Sequence, residues 1–531
     1  MNISHIEGKQ LIGYQEQAEG SEYFHSVDPA SGAVSSIRFY KATAAEVGQA
    51  ANLAETAFPI YRKTSGLDKS AFLLKIADEL ANSKAELVEV CIKETGLPQP
   101  RLEGEVARTV NQLKLFAELI AEGSWVDARI DTAIPDRSPL PKPDLRSMLI
   151  PLGPVAVFGA SNFPFAFSVA GGDTVSALAS GCPVVFKAHP AHPITSELVG
   201  KAILRAAADC GLPEGVFSML HGDGPSTGTA LVTHPAIQAV GFTGSFKAGK
   251  SIAEAAFNRP KPIPVYAEMG SSNPVFVLPG ALRQHTDKIA AGYVQSLTMG
   301  AGQFCTNPGL LVYQEDGSPE SDIFRSALKD GISNATTHSL LTEAIGTAFS
   351  KGVVERSAHP ALAVLASSIA NEKQPVPTLF SADHTAFSQD PSLEEELFGP
   401  SGIVVNTPSK AELLQFANKL SGHLTATVHA TDEDLANYKE LFDILEQKVG
   451  RILINGFPTG VEVSHAMVHG GPYPATSDSR TTSVGTAAIF RFTRPVCYQS
   501  FADFLLPDEL KDENPLAIWR LVNGVHTNEI I

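Results

Sequence analysis

Cysteine is scarce in this chain and has no partners. Five residues, Cys91, Cys182, Cys210, Cys305 and Cys497, are odd in number, far apart and without a CxxC pair. That excludes a disulfide framework or a thiolate zinc cluster and points to a reducing cytoplasm. Basic side chains are also in deficit, 40 Lys and Arg against 57 Asp and Glu, for a net charge of −17. Such a balance excludes a general nucleic-acid surface or an anionic-membrane surface. There is no GxGxxG, so the commonest dinucleotide fingerprint is missing. Uninterrupted apolar runs are missing too. The one long candidate, Pro154 to Gly172, is broken by Gly159, Ser161, Asn162 and Pro164, which would be costly in lipid; it reads as buried backbone. Met1 to Glu19 carries Glu7, Lys9 and Glu16 and lacks the apolar core of an export signal. No internal repeat or low-complexity block stands out.

What the chain does have is length and a core. With 531 residues, 44% hydrophobic and 18% charged, it is too long for one ordinary core, and two or three packed lobes are expected. Thr43-Ala44-Ala45-Glu46 reads as a capping box opening a helix to about Arg62. Apolar residues at three-and-four spacing predict further packing helices over Leu67 to Val90 and Arg101 to Ala121. The proline-rich Ser138 to Pro143 forces an extended arm before a strand at Ser147 to Pro151. From Pro154 the pattern alternates. Strands are expected at Val155–Phe158, Val184–Lys187, Val216–Leu220, Ala239–Phe242 and Pro264–Ala267, with helices at Phe167–Ala179, Ser196–Asp209, Ser226–Val232 and Ala248–Phe257. Strict alternation builds a doubly wound parallel sheet, whose ligands bind beyond the strands' carboxyl ends.

Several residues converge on that rim. Gly244-Ser245, between a strand and the helix that contains Gly249, would turn free N–H groups toward an anion. Lys187 ends a strand, and Asn162 follows another. Farther on, Gly300-Ala301-Gly302-Gln303-Phe304-Cys305-Thr306 holds a cysteine on a glycine-rich bend, as a nucleophile is presented. Glu268, between a strand and Gly270, is a candidate general base whose pKa an apolar setting would raise. Glu394 and Glu395 read as a solvated acidic face ahead of a Phe398-Gly399-Pro400 turn. Arg101 and Arg108 read as surface residues, and His465 and His469 as structural histidines, since no third metal ligand is in sight. No metal is expected.

Gly302-Gln303-Phe304-Cys305-Thr306, Glu268-Met269-Gly270, Phe242-Thr243-Gly244-Ser245, Asn162-Phe163-Pro164 and Glu395-Glu396-Leu397-Phe398-Gly399-Pro400 together resemble the NAD(P)-dependent aldehyde dehydrogenase superfamily, from about Asp28 onward. Val157 to Pro164, Lys187 to Pro193 and Met467 to Pro474 resemble most closely the branch with 2,5-dioxovalerate (α-ketoglutarate semialdehyde) dehydrogenases and NADP-dependent fatty aldehyde dehydrogenases.

The resemblance implies an α/β fold: a Rossmann-type doubly wound cofactor domain (28–130 and 152–269), an α/β catalytic domain (270–483), and a small β oligomerisation arm with the C-terminal segment (131–151 and 484–531). It implies Cys305 as nucleophile, Glu268 as base and the Asn162 amide as oxyanion donor. It assigns the cofactor to Ser161, Lys187, Gly244, Ser245, Gly249, Glu396 and Phe398. The reaction implied is oxidation of an aldehyde to a carboxylic acid through a thiohemiacetal and a thioester, with 2,5-dioxovalerate the first candidate and a medium- or long-chain fatty aldehyde the alternative. A CoA-acylating enzyme, or a silent relative that only binds, is the more distant reading. Pro190 stands where many NAD-preferring members carry a glutamate, so NADP is expected and NAD is the alternative. Gly171 replaces a lysine that some relatives use in a proton relay. A small-molecule aldehyde, a homodimer or homotetramer, and no nucleic acid or membrane insertion complete the expected partners.

Overall fold

The computed structural model describes residues 6–315, 317–369 and 374–531. A seven-stranded sheet holds Val265–Glu268, Ala239–Thr243, Val155–Phe158, Val184–Lys187, Phe217–Leu220, Gln10–Ile12 and Gln15–Gln17 in that order. The first five run parallel. The chain starts in the middle, at Val155–Phe158, winds out to one side and then returns to fill the other. A crevice therefore opens at the carboxyl end of Val155–Phe158, between Lys187 and Thr243, where strand order reverses. The two antiparallel edge strands lie ahead of residue 28.

A second sheet orders Ala363–Ser367, Thr378–Asp383, Ser401–Thr407, Leu310–Gln314, Val275–Val277, His423–His429 and Val449–Ile454, all parallel except its first edge strand. A third, five-stranded sheet pairs Leu145–Pro151 with Thr493–Gln499 over seven residue pairs. Among the described residues, no helix is long and apolar enough to cross a membrane. Pro154 to Gly172 is buried backbone, as its interruptions indicate.

The capping box forms as expected: Thr43 and Glu46 cap the helix Ala44–Tyr61 reciprocally. Three sequence expectations are corrected. Leu67 to Val90 is two helices, Gly66–Asn82 and Lys84–Thr95, split at Ser83, whose ψ of 6° leaves the helical well. Helix at Phe167–Ala179 begins only at Gly172. The preceding chain folds into turns in which Ala160 N–H donates to Phe167 and Gly172 N–H to Ala166; Phe163 then packs on Phe304 and Phe167 near His469, while Phe165 enters the main core. Ser226–Val232 is a π-turn, Gly224–Gly228, running into the short helix Thr229–Thr233, with the Asp223 carboxylate accepting from Ser226 N–H. The stretch Gly485 to Tyr498 is strand only in its second half. Thr486–Phe492 is a 3₁₀-helix, because Ala488, Ile489 and Phe492 share one face buried in the main core.

Candidate active site

The helix Pro279–Thr298 ends immediately before Cys305's loop. Gly300, Ala301 and Gly302 then take φ of 57°, 55° and 70°, three left-handed residues in a row. Only glycine enters that region freely, and Ala301 is held there by burial against Leu340 and Phe349. The bend throws Cys305 forward, half-buried, at the mouth of the crevice. Asn273 fixes it from behind, its amide donating to the carbonyls of Cys305 (2.8 Å) and Asn307 (2.9 Å).

Three chain segments meet at the sulfur. Cys305 Sγ lies 3.3 Å from His469 Nε2, which lies 3.0 Å from Glu268 Oε1. Ser483 Oγ donates to Glu268 Oε2 and also to the His469 carbonyl. His469 is 1% exposed and Glu268 3%. Hence His469, read from sequence as structural, belongs to the site. Its partner in space is 164 positions away, and no local spacing announces it.

A single Nε2 faces both an acidic thiol and a carboxylate. Were that nitrogen a bare lone pair, it would repel Glu268 at 3.0 Å. A hydrogen on it would face both sulfur and carboxylate. Burial and the Glu268 charge push the Cys305 thiol well up, so a cation beside it matters. The expectation of a raised Glu268 pKa is corrected. Burial does push it up, but the His469 contact and the Ser483 hydroxyl outweigh burial and hold the carboxyl below its usual value. The donor atoms of Glu268, Cys305 and His469 lie within 4.8 Å of one another, so the third group that the metal reading lacked in sequence is present in space. Sγ–Nε2 is at hydrogen-bond distance and Nε2–Oε1 at ion-pair distance.

Asn162 is 8% exposed, and its Nδ2 donates to the Gln303 carbonyl at 3.1 Å, leaving one amide hydrogen for an oxyanion at the Cys305 side. Ser161 is half-buried just before it. Lys187 is 6% exposed and, among the described residues, no group bonds its ammonium. Burial lowers its pKa to about 8, with Asp223 opposing. Gly244 and Ser245 stand open at the start of the helix Phe246–Phe257, which Ser245 Oγ caps by accepting from Ala248 N–H. Gly249, by contrast, faces away: a Cβ there would meet Met269 at 2.8 Å, so its place is packing.

Glu396 lies against Gly270, and burial, with Glu268 adding, raises its carboxyl to about 8. Phe398 is half-buried at the turn whose next residue, Gly399, is pressed on Gly302 and accepts from the Asn307 amide. A free buried ammonium, an open helix N-terminus and a carboxyl at one rim fit a dinucleotide's riboses and pyrophosphate. Glu394 is corrected: its carboxylate binds buried His423 at 2.8 Å and accepts from Ser421 N–H. Arg101 and Arg108 are corrected as well, being half-buried over Phe163, Phe167 and Phe304.

Residues 14–473 match the model of the aldehyde dehydrogenase family. The chain is 49% identical over 528 residues, 99% of its length and 100% of the relative's, to an alpha-ketoglutaric semialdehyde dehydrogenase of Acinetobacter baylyi. It is 48% identical, over 98% of its length and 99% of the relative's, to alpha-ketoglutaric semialdehyde dehydrogenase 2 of Azospirillum brasilense. In fold it is similar to betaine aldehyde dehydrogenase from Staphylococcus aureus in complex with NAD+, with a TM-score of 0.80 at 18% identity over 95% of this chain and 97% of that one. A match of this extent, on a chain whose cysteine bend faces a strand-end carboxylate, places the protein in the aldehyde dehydrogenase family, as an oxidoreductase acting on aldehydes.

Proposed function

We propose that the protein oxidises 2,5-dioxovalerate to 2-oxoglutarate, using NADP+ in preference to NAD+. The observation that carries the reaction is the Cys305 sulfur within 3.3 Å of His469 Nε2, with Glu268 beyond it and the Asn162 amide beside its loop. The substrate reading draws support from the two relatives of 49% and 48% identity. The cofactor preference rests on exposed Pro190 following buried Lys187, where no carboxylate would repel a 2′-phosphate.

Cys305 attacks the aldehyde carbon as thiolate, its proton held on His469 Nε2 between sulfur and carboxylate. The oxyanion that forms is held by the free Asn162 amide hydrogen and the Cys305 N–H. The nicotinamide, when bound, supplies hydride acceptance. Lys187 would hold the ribose hydroxyls, the open N–H groups after Ser245 would receive the pyrophosphate, Glu396 would serve the second ribose, and Phe398 would pack near the ring. Glu268, anionic because His469 and Ser483 stabilise its charge, then takes a proton from water, and the hydroxide so formed cleaves the thioester. The sheet-edge strand Thr493–Gln499, with exposed and partly covered residues alternating, supports assembly as a homodimer or homotetramer.

The test is a steady-state panel of both nicotinamide cofactors against 2,5-dioxovalerate, short aldehydes and long-chain aldehydes. The highest kcat/KM is expected for 2,5-dioxovalerate with NADP+. A long-chain aldehyde as best substrate would replace the proposal with its alternative, and turnover dependent on CoA would point to acyl transfer. Cys305→Ser is expected to lose oxidation while still binding cofactor by fluorescence titration.

A further inference from the structure

Two arginines beside the reacting sulfur feel the charge of buried Glu105 but are ion-paired or hydrogen-bonded to no carboxylate among the described residues. Arg101 and Arg108 stand two turns apart on one face of the helix Gln99–Glu122. The Arg101 guanidinium lies 5.1 Å from the ring centre of Phe163 and 4.7 Å from that of Phe304, the residue before Cys305. Arg108 lies 5.9 Å from Phe163 and 5.2 Å from Phe167. The rings themselves stack edge to face, Phe163 with Phe304 at 5.5 Å and with Phe167 at 5.3 Å. Phe167 in turn lies 6.2 Å from the His469 ring. An aromatic wall thus joins both guanidiniums to the catalytic residues.

One donor of this pair is used: Arg101 Nη2 gives to the Asn162 carbonyl at 2.6 Å. Arg101 Nη1 and Arg108 Nε and Nη2 are shut away from water with no acceptor. Glu105, between them on the helix, spends one oxygen on the N–H groups of Phe165 and Ala166 and comes within ion-pair distance of neither arginine among the described residues. Leaving several guanidinium donors dry and unpaired is costly, and more so in a chain with 57 acidic side chains to choose from. Such donors match the planar fork of a carboxylate.

We infer that Arg101 and Arg108 hold the distal carboxylate of an ω-oxo acid whose aldehyde carbon is set against Cys305. This deepens the substrate reading above and rests on it for the identity of the acid. In an extended five-carbon oxo acid, the carboxylate lies four carbon–carbon bonds from the aldehyde carbon, about 5 Å away. The aromatic rings pack the methylene carbons between, and the arginines select against neutral aldehydes of the same length.

The experiment compares wild type, Arg108→Met, Arg108→Lys and Arg101→Met on 2,5-dioxovalerate, other ω-oxo acids and pentanal. The ratio of kcat/KM for dioxovalerate over pentanal is expected to fall roughly 100-fold in either methionine variant, mostly through KM, and to recover in part in Arg108→Lys. An equal loss on the acid and the neutral aldehyde would make the pair structural and overturn the inference. If wild type favours other ω-oxo acids over dioxovalerate and the variants lose that preference, the arginine assignment stands and the substrate reading falls. A second measurement needs no variant. 2-Oxoglutarate is expected to compete with the aldehyde while its neutral diester, at the same concentration, does not; equal competition by both would refute the carboxylate site.

Discussion

Removing His469 should raise the energy of the thiolate by an amount that can be worked from its contacts. With Nε2 at 3.3 Å from the sulfur, a unit charge pair is worth about 5 kcal/mol at an effective dielectric of about 20. Desolvating an imidazolium that is 1% exposed opposes this, so the net stabilisation is about 2 to 4 kcal/mol. That corresponds to a loss of roughly 30- to 1,000-fold in thiolate-dependent rate at neutral pH. His469→Asn is the perturbation. Its readouts are kcat/KM and the second-order rate of Cys305 alkylation by iodoacetamide, followed from about pH 6 to about pH 10.

The shape of the profile is as informative as its height. Burial and the Glu268 charge already push the thiol up, so without the imidazole the variant should gain reactivity steadily into the alkaline range, approaching wild type only there. The substitution also leaves Glu268 facing the sulfur uncompensated. Adding Glu268→Gln to His469→Asn should therefore restore alkylation about tenfold. Alkylation of His469→Asn at the wild-type rate near neutral pH would refute proton sharing, as would an alkylation rate in the double variant no higher than in the single one.

Three further outcomes are expected. Glu268→Gln alone should give a pre-steady-state burst of reduced cofactor and then stall, since hydride loss precedes the step that needs its carboxylate; an undiminished steady rate would remove it as base. Glu396 has a folded pKa of about 8 against an ordinary 4.5, so the folded apo-protein holds its proton longer than the unfolded chain, and the stability due to this group falls as pH rises between those values. Glu396→Gln should flatten that decline by up to about 2 kcal/mol in denaturant titrations, allowing for its partial exposure, and a pH-independent difference from wild type would exclude it. In Gly302→Ala the new Cβ would fall 2.2 Å from the Gly399 carbonyl carbon at a φ of +70°, so a loss of at least about 2 kcal/mol in stability and a near-inactive enzyme are expected; a normal kcat would refute the close packing of the two loops.

The residues differ in how far sequence alone exposed them, and the reason is range. Strand–helix alternation from Val155 to Glu268 is local, so the parallel sheet and its rim were readable, as were Lys187 and the Gly244-Ser245 turn at strand ends. Cys305 was readable because left-handed φ values demand glycine at 300 and 302. Ser83 split one apolar face into two helices because periodicity runs through a break of a single residue. His469 and Ser483 reach Glu268 across 201 and 215 positions, 469 − 268 and 483 − 268, through a loop whose glycines carry no periodic signal. Glu268's lowered pKa followed from those same unseen neighbours. For Arg101 and Arg108, charge suggested exposure; the packing of Phe163, Phe167 and Phe304 beneath them, and the Asn162 carbonyl on Arg101, give them their half-buried place.

The segment bearing His469 is stitched to the strand bearing Glu268: Ser477 bonds Ala267 through both its N–H and its hydroxyl, and Ala475 accepts from Met269 N–H. Cys305 instead hangs from the helix and strand of the second sheet, secured by Asn273. Nucleophile and proton partner are therefore carried by different sheets, which meet at Sγ–Nε2, at Asn162–Gln303, along the Phe163–Phe304 rings and where Gly470 and Gly471 press on Gly450 and His423. Lengthening Sγ–Nε2 by one ångström from its 3.3 Å would take it beyond hydrogen-bond reach, so the glycine packing along this seam is what keeps the sulfur next to its partner.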